Sequence, residues 1–590
     1  MNDTRRKNTQ EAPNPLLFLT FCPKNKVANR RKYKTAYLAA LFWVETTQNI
    51  TTQFGLQLMA AIKQKEQWGT RVGLVLAMAG NAVGLGNFLR FPVQAIQNGG
   101  GSFIIPYLVC FLLMGLPLLF VEWSMGRFGG RNGDHSTPFI LNNMSRGTLW
   151  KYVGVFGIFT NLAVAAYYCY LESWTLAYVW KSVSGAFSGQ DAGQVSDIFS
   201  QYVSLGTNEP VVFWVICILL NTWILSRGLR GGVEIAAKIG MPLLILFGIF
   251  LAVRGITLTA GEAGAVFSGT EGLNFLWTPN FDTIWTPKVW LAAAGQVFFT
   301  LSVGMGSIQC YASYLRYQDD IALNAMSAGW MNAFVEVALG AAILIPISVG
   351  YLGVERVIEL TQNGGLGLGF RTLPYLFQQW GPILSVAAGV AWFGLLFFAG
   401  ITSSLAMGTP CMGFLRDEFN WSRPKAAWAF GFAVFLLGLP TVVFFEYGVF
   451  DEYDYWAGTV SLVVFATLEI ILFAWVFGMD NAWREIMRGA DIKVPIVFKY
   501  VIQFVTPIIL LAVFIGSLPS IVDTISNRAI YEELAKATDP AKIAALEKKK
   551  LFVNISRLGL LAVFGLIAFM VYLAKLKRDR EGRINVYLKR

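Results

Sequence analysis

Residues 79–87, with the sequence AGNAVGLGN, and residues 300–307, with the sequence TLSVGMGS, place glycines inside segments that are otherwise apolar and of membrane-spanning length. A glycine within a helix costs about 1 kcal/mol relative to alanine, so both stretches weaken a helix. In a membrane, unwound backbone is tolerated only where it is buried in protein or lines a cavity. Each stretch is therefore predicted to interrupt a membrane-spanning helix at a binding site.

The composition indicates a membrane protein. Of the 590 residues, 55% are hydrophobic and only 14% are charged, whereas a soluble domain carries about 25% charged residues. An ordinary soluble enzyme is excluded, and no phosphate-binding loop or HExxH zinc motif occurs in the sequence. Apolar segments of about 20 residues are long enough to cross a bilayer. Twelve are predicted, at roughly 72–95, 101–125, 152–180, 211–226, 238–254, 289–315, 321–352, 381–414, 426–445, 456–477, 494–519 and 552–575.

Lysine and arginine are concentrated in alternate loops, which sets the expected orientation. The loops assigned to the cytoplasm carry residues such as Arg127 and Arg131, whereas Lys548–Lys550 break the pattern in a loop placed outside, before the last span. The balance predicts a multi-pass protein of the inner (plasma) membrane with both termini in the cytoplasm. The net charge of +11 is then explained by the basic residues that set the orientation in the membrane, and no nucleic-acid partner is expected.

The six cysteines show no paired spacing and most lie in apolar spans, so neither a disulfide nor a metal framework is predicted. His135, the single histidine, lies in a polar loop and is predicted to be solvated.

Further motifs occur in order along the chain: WGTR at 68–71, GNAVGLGNFLRFP at 80–92, NGGG at 98–101, EWSMGR at 122–127, YY at 167–168, ESW at 172–174, GLNFLWTP at 272–279, FAGITSS at 398–404 and WAGT at 456–459. Together these motifs resemble the neurotransmitter:sodium symporter family, close to its bacterial amino-acid transporters of the LeuT type. The resemblance extends from about Trp68 to the twelfth span.

The resemblance implies an all-α polytopic membrane protein with twelve transmembrane helices. Helices 1–5 and 6–10 would form two inverted repeats, with helices 1 and 6 broken at mid-membrane. Residues 1–66 are expected to be a basic extension, either disordered or a start-site artefact. Residues 67–480 would be the transport core, and residues 481–590 the last two helices with a cytoplasmic tail.

The resemblance also implies two sodium sites, built from the oxygen ligands that hard cations prefer. The ligands implied for the first ion are the Ala82 carbonyl, Asn87, Thr300, Asn332 and the substrate carboxylate. The ligands implied for the second are the carbonyls of Gly80, Val83 and Ala399 and the hydroxyls of Thr402 and Ser403. The alternative for these two hydroxyl residues is ordinary helix packing, in which small residues are common.

The residue at position 84 limits the chemical class of the substrate: it is glycine here and an aspartate in monoamine-transporting relatives. The substrate is therefore expected to bring its own carboxylate, which would meet backbone N–H groups near Leu85 and Gly86, the hydroxyl of Tyr168 and the first sodium ion. A packed aromatic is the alternative for Tyr168. The remaining polar contacts, mostly to the amino group, are assigned to Asn81, Ala82, Phe299, Thr300 and Ser302.

The walls around the substrate side chain are expected to be Val164, Phe299, Ser302, Met305, Ser403 and Met407. Two of these are methionines, whose flexible thioethers adapt to varied shapes. The pocket therefore favours a neutral hydrophobic amino acid, with an aromatic one included.

Charged residues inside spans are costly and are functional candidates. Arg90 and Asp454 match the family's extracellular gate pair. Lys65 and Asp417 match its cytoplasmic pair, with lysine where the family commonly has arginine.

Two buried glutamates are assigned by the same resemblance. Glu122 resembles the carboxylate that binds freed N–H groups at the break of helix 6. Glu336 lies four residues after Asn332, on the same helix face, where chloride-dependent relatives have serine. A glutamate at this position implies that transport does not depend on chloride. The alternative is that Glu336 is retained only for packing.

The leading interpretation is a sodium-coupled symporter that imports such an amino acid by alternating access, without chloride. Its partners would be the amino acid, two sodium ions and the lipid bilayer, and a monomer would suffice for transport. Two alternatives stay open: an amino-acid sensor that retained the fold and lost transport, and a proton-coupled permease. The hydroxyls of Thr402 and Ser403 disfavour the permease.

Overall fold

The computed structural model describes residues 66–145, 147, 149–362 and 364–583. Throughout these ranges the secondary structure is helical, with no β-strand. Residues 67–583 belong to one compact unit. The predictions for the basic extension and for Lys65 lie outside the described residues, apart from Glu66.

The main helices, in chain order, are α1 (Arg71–Ala82), α2 (Leu85–Gln97), α3 (Gly101–Gly130), α4 (Trp150–Val183), α5 (Glu209–Ser226), α6 (Leu229–Ile256), α7 (Pro287–Leu301), α8 (Ser307–Ala312), α9 (Ile321–Leu352), α10 (Pro382–Phe419), α11 (Arg423–Val443), α12 (Val449–Val476), α13 (Val497–Ile525) and α14 (Pro540–Arg580). Shorter helices in the connections include Thr137–Asn143, Ala192–Val203, Val354–Thr361, Leu373–Gln378, Met479–Ile486 and Arg528–Lys536.

Ten helices of the described chain are long and apolar enough to cross a membrane, and the bent pair α1 and α2 makes eleven if it counts as one span. Helices α7 and α8, with 15 and 6 residues, are each too short to be counted. The all-helical polytopic architecture is therefore confirmed, and the total of twelve spans stays a prediction.

Local sequence sets where these helices begin and end. Helix α1 follows Thr70, whose hydroxyl accepts a hydrogen bond from the N–H of Gly73 at 3.0 Å, as expected of an N-cap residue. Helix α10 starts with Pro382 in its first turn and ends at Phe419, followed by the capping residue Asn420, which has a left-handed backbone (φ 55°). Proline suits a helix start and asparagine tolerates the left-handed conformation, so both limits follow from residue type.

The interior of the molecule is built around α4 and α10, which pack against each other over much of their length. Most residues of α4 are buried, as is the second half of α10. Helix α1 packs against α10, and α12 lies against α4. These helices surround the two glycine-rich stretches that the sequence singled out.

Several spans contain a π-helical turn, in which one extra residue shifts the faces of the helix. Such turns lie at Phe111–Gly115 in α3, Phe334–Gly340 in α9 and Trp456–Val460 in α12. π-Helical turns are frequent at functional sites, and the last two of these contain or adjoin residues of the site described below.

One prediction about the last span is wrong. Lys548–Lys550 lie within α14, which runs for 41 residues, and not in a loop before it. The helix starts at Pro540 after Asp539, whose carboxylate accepts the N–H of Ala541 at 3.0 Å. Hydropathy detects only the apolar part of a helix, so the charged first turns were left out.

Candidate functional site

The first interruption separates α1 from α2 at Val83 and Gly84, and the two helices meet at a bend of 55°. The freed N–H groups are bonded to neutral side chains. Gly84 donates to the Asn87 Oδ1 at 2.8 Å, and Leu85 donates to the Tyr168 hydroxyl at 3.1 Å. The break is thus held open by polar side chains from α2 and α4.

The second interruption separates α7 from α8 over residues 302–306. Ser302, Gly304 and Gly306 all have positive φ, at 53°, 75° and 83°. The N–H of Gly304 donates to the Glu122 Oε1 at 2.6 Å, which is the contact implied for this carboxylate by the family resemblance. Asn161 donates to the carbonyl of Met305 at 2.6 Å. Here a buried carboxylate and an amide from α3 and α4 hold the unwound backbone.

The two interruptions contact each other through Asn81. Its carbonyl accepts the Ser302 hydroxyl at 3.0 Å, and its side-chain oxygen accepts the Ser307 hydroxyl at 3.1 Å. The last turn of α1 is therefore joined to the second interruption and to the start of α8 in the interior, where Asn81 is only 2% exposed.

A small cavity, with a volume of about 40 Å³, lies between the interruptions. Eleven of the residues assigned from the sequence line it: Ala82, Gly86, Asn87, Val164, Tyr168, Phe299, Thr300, Ser302, Met305, Ser403 and Met407. Asn81 and Leu85, also assigned to the substrate, lie beside the cavity but do not line it. Their polar groups are bonded to Ser302, Ser307 and Tyr168 instead.

Four further residues line the same cavity and were not assigned from the sequence: Gly84, Tyr167, Gly458 and Leu462. The last two belong to α12, where the π-helical turn at Trp456–Val460 determines which residues face inward. The WAGT motif at 456–459 was the available signal, although it indicated no particular role.

The cavity carries no charged side chain among the lining residues that the structure describes. Gly84 explains part of this, because a Cβ atom there would lie 2.8 Å from the Tyr168 hydroxyl and 3.1 Å from the Ser403 Oγ. Room for a carboxylate at position 84 is absent in this arrangement. Opposite charges on a ligand would therefore have to be met by backbone dipoles, hydroxyls or a bound ion.

The side chains assigned to the first sodium ion form one buried cluster. The Asn87 amide donates to the Thr300 hydroxyl at 3.1 Å and to the Asn332 Oδ1 at 2.8 Å, and the Asn332 amide donates to Thr300 at 3.0 Å. Each of the three residues is at most 1% exposed. Three helices (α2, α7 and α9) thus bring amide and hydroxyl oxygens together.

The groups assigned to the second ion also come together, between α1 and α10. The Ser403 hydroxyl lies 3.2 Å from the Gly80 carbonyl oxygen and 3.4 Å from that of Val83. The Thr402 hydroxyl lies 3.3 Å from the Ala399 carbonyl oxygen. A Cβ atom at Gly80 would be 2.9 Å from the Thr402 Cβ, so glycine permits this close approach.

These two groups of oxygens suit a hard monovalent cation. Carbonyl, hydroxyl and amide oxygens are the donors that hard cations take. No group of three histidine, cysteine, aspartate or glutamate side chains in the described part of the chain could hold a metal ion. The donor set therefore fits sodium better than a transition metal.

Glu336 is fully buried next to the first cluster, in the π-helical turn of α9. The Tyr107 hydroxyl and the Gln296 amide donate to its two carboxylate oxygens. A negative charge, or a protonated equivalent, thus stands one helical turn from Asn332.

The two proposed extracellular gate residues, Arg90 and Asp454, each contact an aromatic side chain. The Arg90 guanidinium lies 4.3 Å from the centre of the Phe299 ring, and Asp454 accepts the Tyr167 hydroxyl at 2.6 Å. The two are not ion-paired in the described structure. Each of the two therefore contacts an aromatic residue that lines the cavity, Phe299 or Tyr167.

At the other gate, Lys65 lies outside the described residues. Asp417 accepts the backbone N–H of His135 at 2.8 Å. The His135 ring stacks on Tyr314 at 4.1 Å, and its Nδ1 lies 2.7 Å from the Ser313 hydroxyl. His135 lies in a loop, as predicted, but it is half-buried and only partly solvated, because the loop packs onto the end of α10.

Comparisons with known proteins identify the family of this chain. The family model described as the sodium:neurotransmitter symporter family matches residues 65–196 and 204–539. An uncharacterized sodium-dependent transporter of Methanocaldococcus jannaschii is 32% identical over 76% of this chain and 90% of its own length. A sodium-dependent nutrient amino acid transporter 1 of Drosophila persimilis is 25% identical over 78% of this chain and 76% of its own length.

A solved structure is also similar: MhsT in complex with L-phenylalanine, with a TM-score of 0.67 and 28% sequence identity. The match covers 77% of this chain and 100% of that protein. MhsT has the LeuT fold, so the fold class implied by the sequence motifs is confirmed. The chain belongs to the sodium:neurotransmitter symporter family, whose matched relatives are sodium-dependent transporters.

Proposed function

We propose that this protein imports a neutral hydrophobic or aromatic amino acid together with sodium, by alternating access. The observation that carries the proposal is a cavity without charged side chains, placed between two unwound helix segments and beside two clusters of cation-ligating oxygens. A zwitterion fits such a site because its two charges can be met by backbone dipoles and by a bound cation.

In this proposal the substrate carboxylate faces the backbone of Gly86, the hydroxyl of Tyr168 and the first sodium ion. The amino group faces carbonyls of the two breaks and the Ser302 hydroxyl. Apolar walls from Val164, Met305 and Met407 surround the side chain. The two methionines leave the shape of this part adaptable, and the L-phenylalanine bound to the similar MhsT supports an aromatic substrate.

The first sodium ion would be held by Ala82, Asn87, Thr300 and Asn332, and the second by Gly80, Val83, Ala399, Thr402 and Ser403. Cotransport of two sodium ions with a neutral zwitterion would gain about 4.6 kcal/mol per 100 mV of membrane potential, at ~2.3 kcal/mol per charge. This is enough to drive uptake against a concentration gradient. Both termini are proposed to lie in the cytoplasm, with residues 67–480 as the transport core.

The proposal is tested by uptake of labelled L-phenylalanine and L-leucine into proteoliposomes, with an inward sodium gradient or with choline in place of sodium. We expect sodium to stimulate uptake by the wild type. The variant Thr402→Ala with Ser403→Ala should lose this stimulation and still fold. Thr467→Ala is the matched control, because that hydroxyl bonds only a carbonyl of its own helix, Val463, at 2.7 Å.

The alternatives predict different results in the same vesicles. Saturable binding without uptake or counterflow would indicate a sensor. Uptake driven by a proton gradient in choline would indicate a proton-coupled permease. Unchanged sodium stimulation in the double variant would remove Thr402 and Ser403 from the ion site.

The proposal also includes transport that does not require chloride, and this part depends on Glu336. Replacing it with serine would leave the Tyr107 hydroxyl and the Gln296 amide without the carboxylate that they bind. We expect Glu336→Ser to make uptake depend on chloride, measured in chloride against gluconate. Glu336→Gln is the control, since it removes the charge and leaves no space for an anion, and it should be inactive in both salts. Equal uptake by the serine variant in both salts contradicts the assignment.

A further inference from the structure

Helix α14 lies beyond the end of the family match at residue 539 and is anchored to the core along one face. The buried residues of that face recur every three, four or seven positions: Val553, Ser556, Leu560, Ile567, Val571, Ala574 and Arg578. Residues on the opposite face, such as Leu558, Leu561 and Phe569, are exposed. An apolar stripe of this kind is typical of a helix that packs on one side and faces lipid on the other.

At one end of this stripe, Arg557 binds Glu452 through two parallel contacts. Its Nε lies 2.6 Å from Oε2 and its second guanidinium nitrogen 2.8 Å from Oε1. Trp456 also donates to Glu452, at 2.8 Å, and Arg557 reaches the Asn527 Oδ1 at 2.8 Å. The Arg557 and Glu452 side chains are only 15% and 11% exposed. Glu452 lies two residues before Asp454.

At the other end, Arg578 binds two carboxylates at once. Its Nε donates to the Glu418 Oε2 at 2.7 Å, and another guanidinium nitrogen contacts both Glu418 and Asp134. Its guanidinium also lies 3.5 Å from the centre of the Phe139 ring. The three charged side chains are at most 10% exposed.

Both carboxylates that bind Arg578 are adjacent in sequence to residues of the proposed cytoplasmic gate contact between Asp417 and His135. Glu418 follows Asp417, and Asp134 precedes His135, whose N–H binds Asp417 at 2.8 Å. Arg578 therefore closes a small network that holds the end of α10 against the loop after α3. A close approach of the Gly413 Cβ position to the His135 carbonyl oxygen, at 2.7 Å, shows how tightly these segments pack.

The two arginines are 21 positions apart in one uninterrupted helix. At a rise of about 1.5 Å per residue this corresponds to roughly 31 Å, close to the thickness of the hydrocarbon core. Arginine forks on buried carboxylates are geometrically specific, and breaking one partner is strongly unfavourable. The helix is therefore fixed, at both faces of the membrane, to residues adjacent to the two proposed gates.

We propose that α14 is a strut that couples the two gates, with Arg557 and Arg578 as its positioning residues. A displacement of α12 near Asp454 would be transmitted through Arg557, the helix and Arg578 to the end of α10 at Asp417. Coupling of this kind links opening at one side of the membrane to closing at the other, as alternating access needs. The inference rests on the gate roles of Asp454 and Asp417 in the proposed function.

The test measures coupling by hydrogen–deuterium exchange of the full-length protein in lipid nanodiscs, without sodium or amino acid. We expect Arg557→Gln to raise backbone exchange about tenfold in segments 131–143 and 414–419, at the opposite end of the strut. Arg578→Gln should likewise raise exchange in segment 445–456. Arg528→Gln is the control: that arginine lies in the helix Arg528–Lys536 before α14, and its ion pairs, with Glu532 at 2.9 Å and Asp523 at 3.3 Å, are solvent-exposed.

Changes confined to the mutated end, or no change in either variant, would overturn the strut and leave α14 as an anchor. If a glutamine variant does not fold, Arg557→Lys and Arg578→Lys keep the charge but lose the two-pronged contact. They should show the same effect at the far end with a smaller size, and a purely local effect would again overturn the proposal. Because exchange is measured without ligands, this result is independent of whether the protein transports amino acids.

Discussion

The two helix interruptions provide hydrogen-bond partners for their freed backbone N–H groups by different means. The first is two residues long, both with negative φ, and its N–H groups bond to the neutral side chains of Asn87 and Tyr168. The second is five residues long, three of them with positive φ, and the carboxylate of Glu122 binds the N–H of Gly304.

This difference indicates how each break is specified. A left-handed backbone costs an ordinary residue roughly 1–2 kcal/mol, so the second break depends on glycine itself. The first break depends on side chains that also line the cavity. We therefore expect changes in the second break to affect mainly the fold, and changes in the first to affect mainly binding.

The largest effect is expected for Gly304→Ala. The added Cβ would lie 2.3 Å from the Leu462 carbonyl oxygen, at a residue whose φ is 75°. Backbone strain and overpacking together should destabilise the protein by about 2–4 kcal/mol, measured by thermal unfolding in detergent. Gly295→Ala in α7 is the matched control, since no atom lies within 4 Å of its Cβ position. Equal stability of the two variants would contradict the importance of glycine at position 304.

The position of both breaks could be predicted from the sequence because glycine clusters in apolar segments are rare and costly. The ends of the membrane spans were harder to predict from the sequence. Helix α14 starts at Pro540, well before the apolar segment that begins near residue 552. Its first turns are charged and its partners, such as Glu452, are distant in sequence, so only tertiary contacts reveal them.

A second, smaller effect is expected for Gly84→Ala in the first break. The new Cβ would meet the Tyr168 hydroxyl at 2.8 Å, and this group is at the end of a side chain that can turn away. Turning would break its hydrogen bond with the N–H of Leu85. We expect nearly unchanged stability and an affinity for L-phenylalanine lowered by about 2 kcal/mol, or roughly thirtyfold.

Isothermal titration and thermal unfolding of the same preparation separate these two quantities. A loss of stability as large as that of Gly304→Ala would show that the first break also specifies the fold. An unchanged affinity would place the substrate away from Tyr168.

Most of the cavity wall could be predicted from the sequence through the family motifs, whereas its α12 side could not. The π-helical turn at Trp456–Val460 shifts the helix faces, and no periodicity in the sequence reveals which residues then point inward. Arg90 is similar: the family resemblance paired it with Asp454 at a gate, and the sequence did not reveal that its guanidinium lies over the Phe299 ring. A cation can be satisfied by an aromatic face as well as by a carboxylate, so residue type alone leaves the choice open.

The smallest effect is expected for Met305→Phe, which changes the side chain and leaves the backbone of the second break intact. Met305 lines the cavity, and its carbonyl is held by Asn161 at 2.6 Å, so the bulkier ring must project into the space of the ligand. Binding of L-phenylalanine and L-tryptophan should weaken relative to L-leucine by about 1 kcal/mol, the scale of a small volume change in a pocket. Competition of each amino acid against labelled L-leucine measures this ranking, with Met570→Phe in α14 as a control away from the cavity. If the ranking of the three amino acids is the same in both variants, Met305 does not contact the substrate side chain. A changed ranking with unchanged thermal stability would show that the second break determines selectivity through its side chain, separately from its role in the fold.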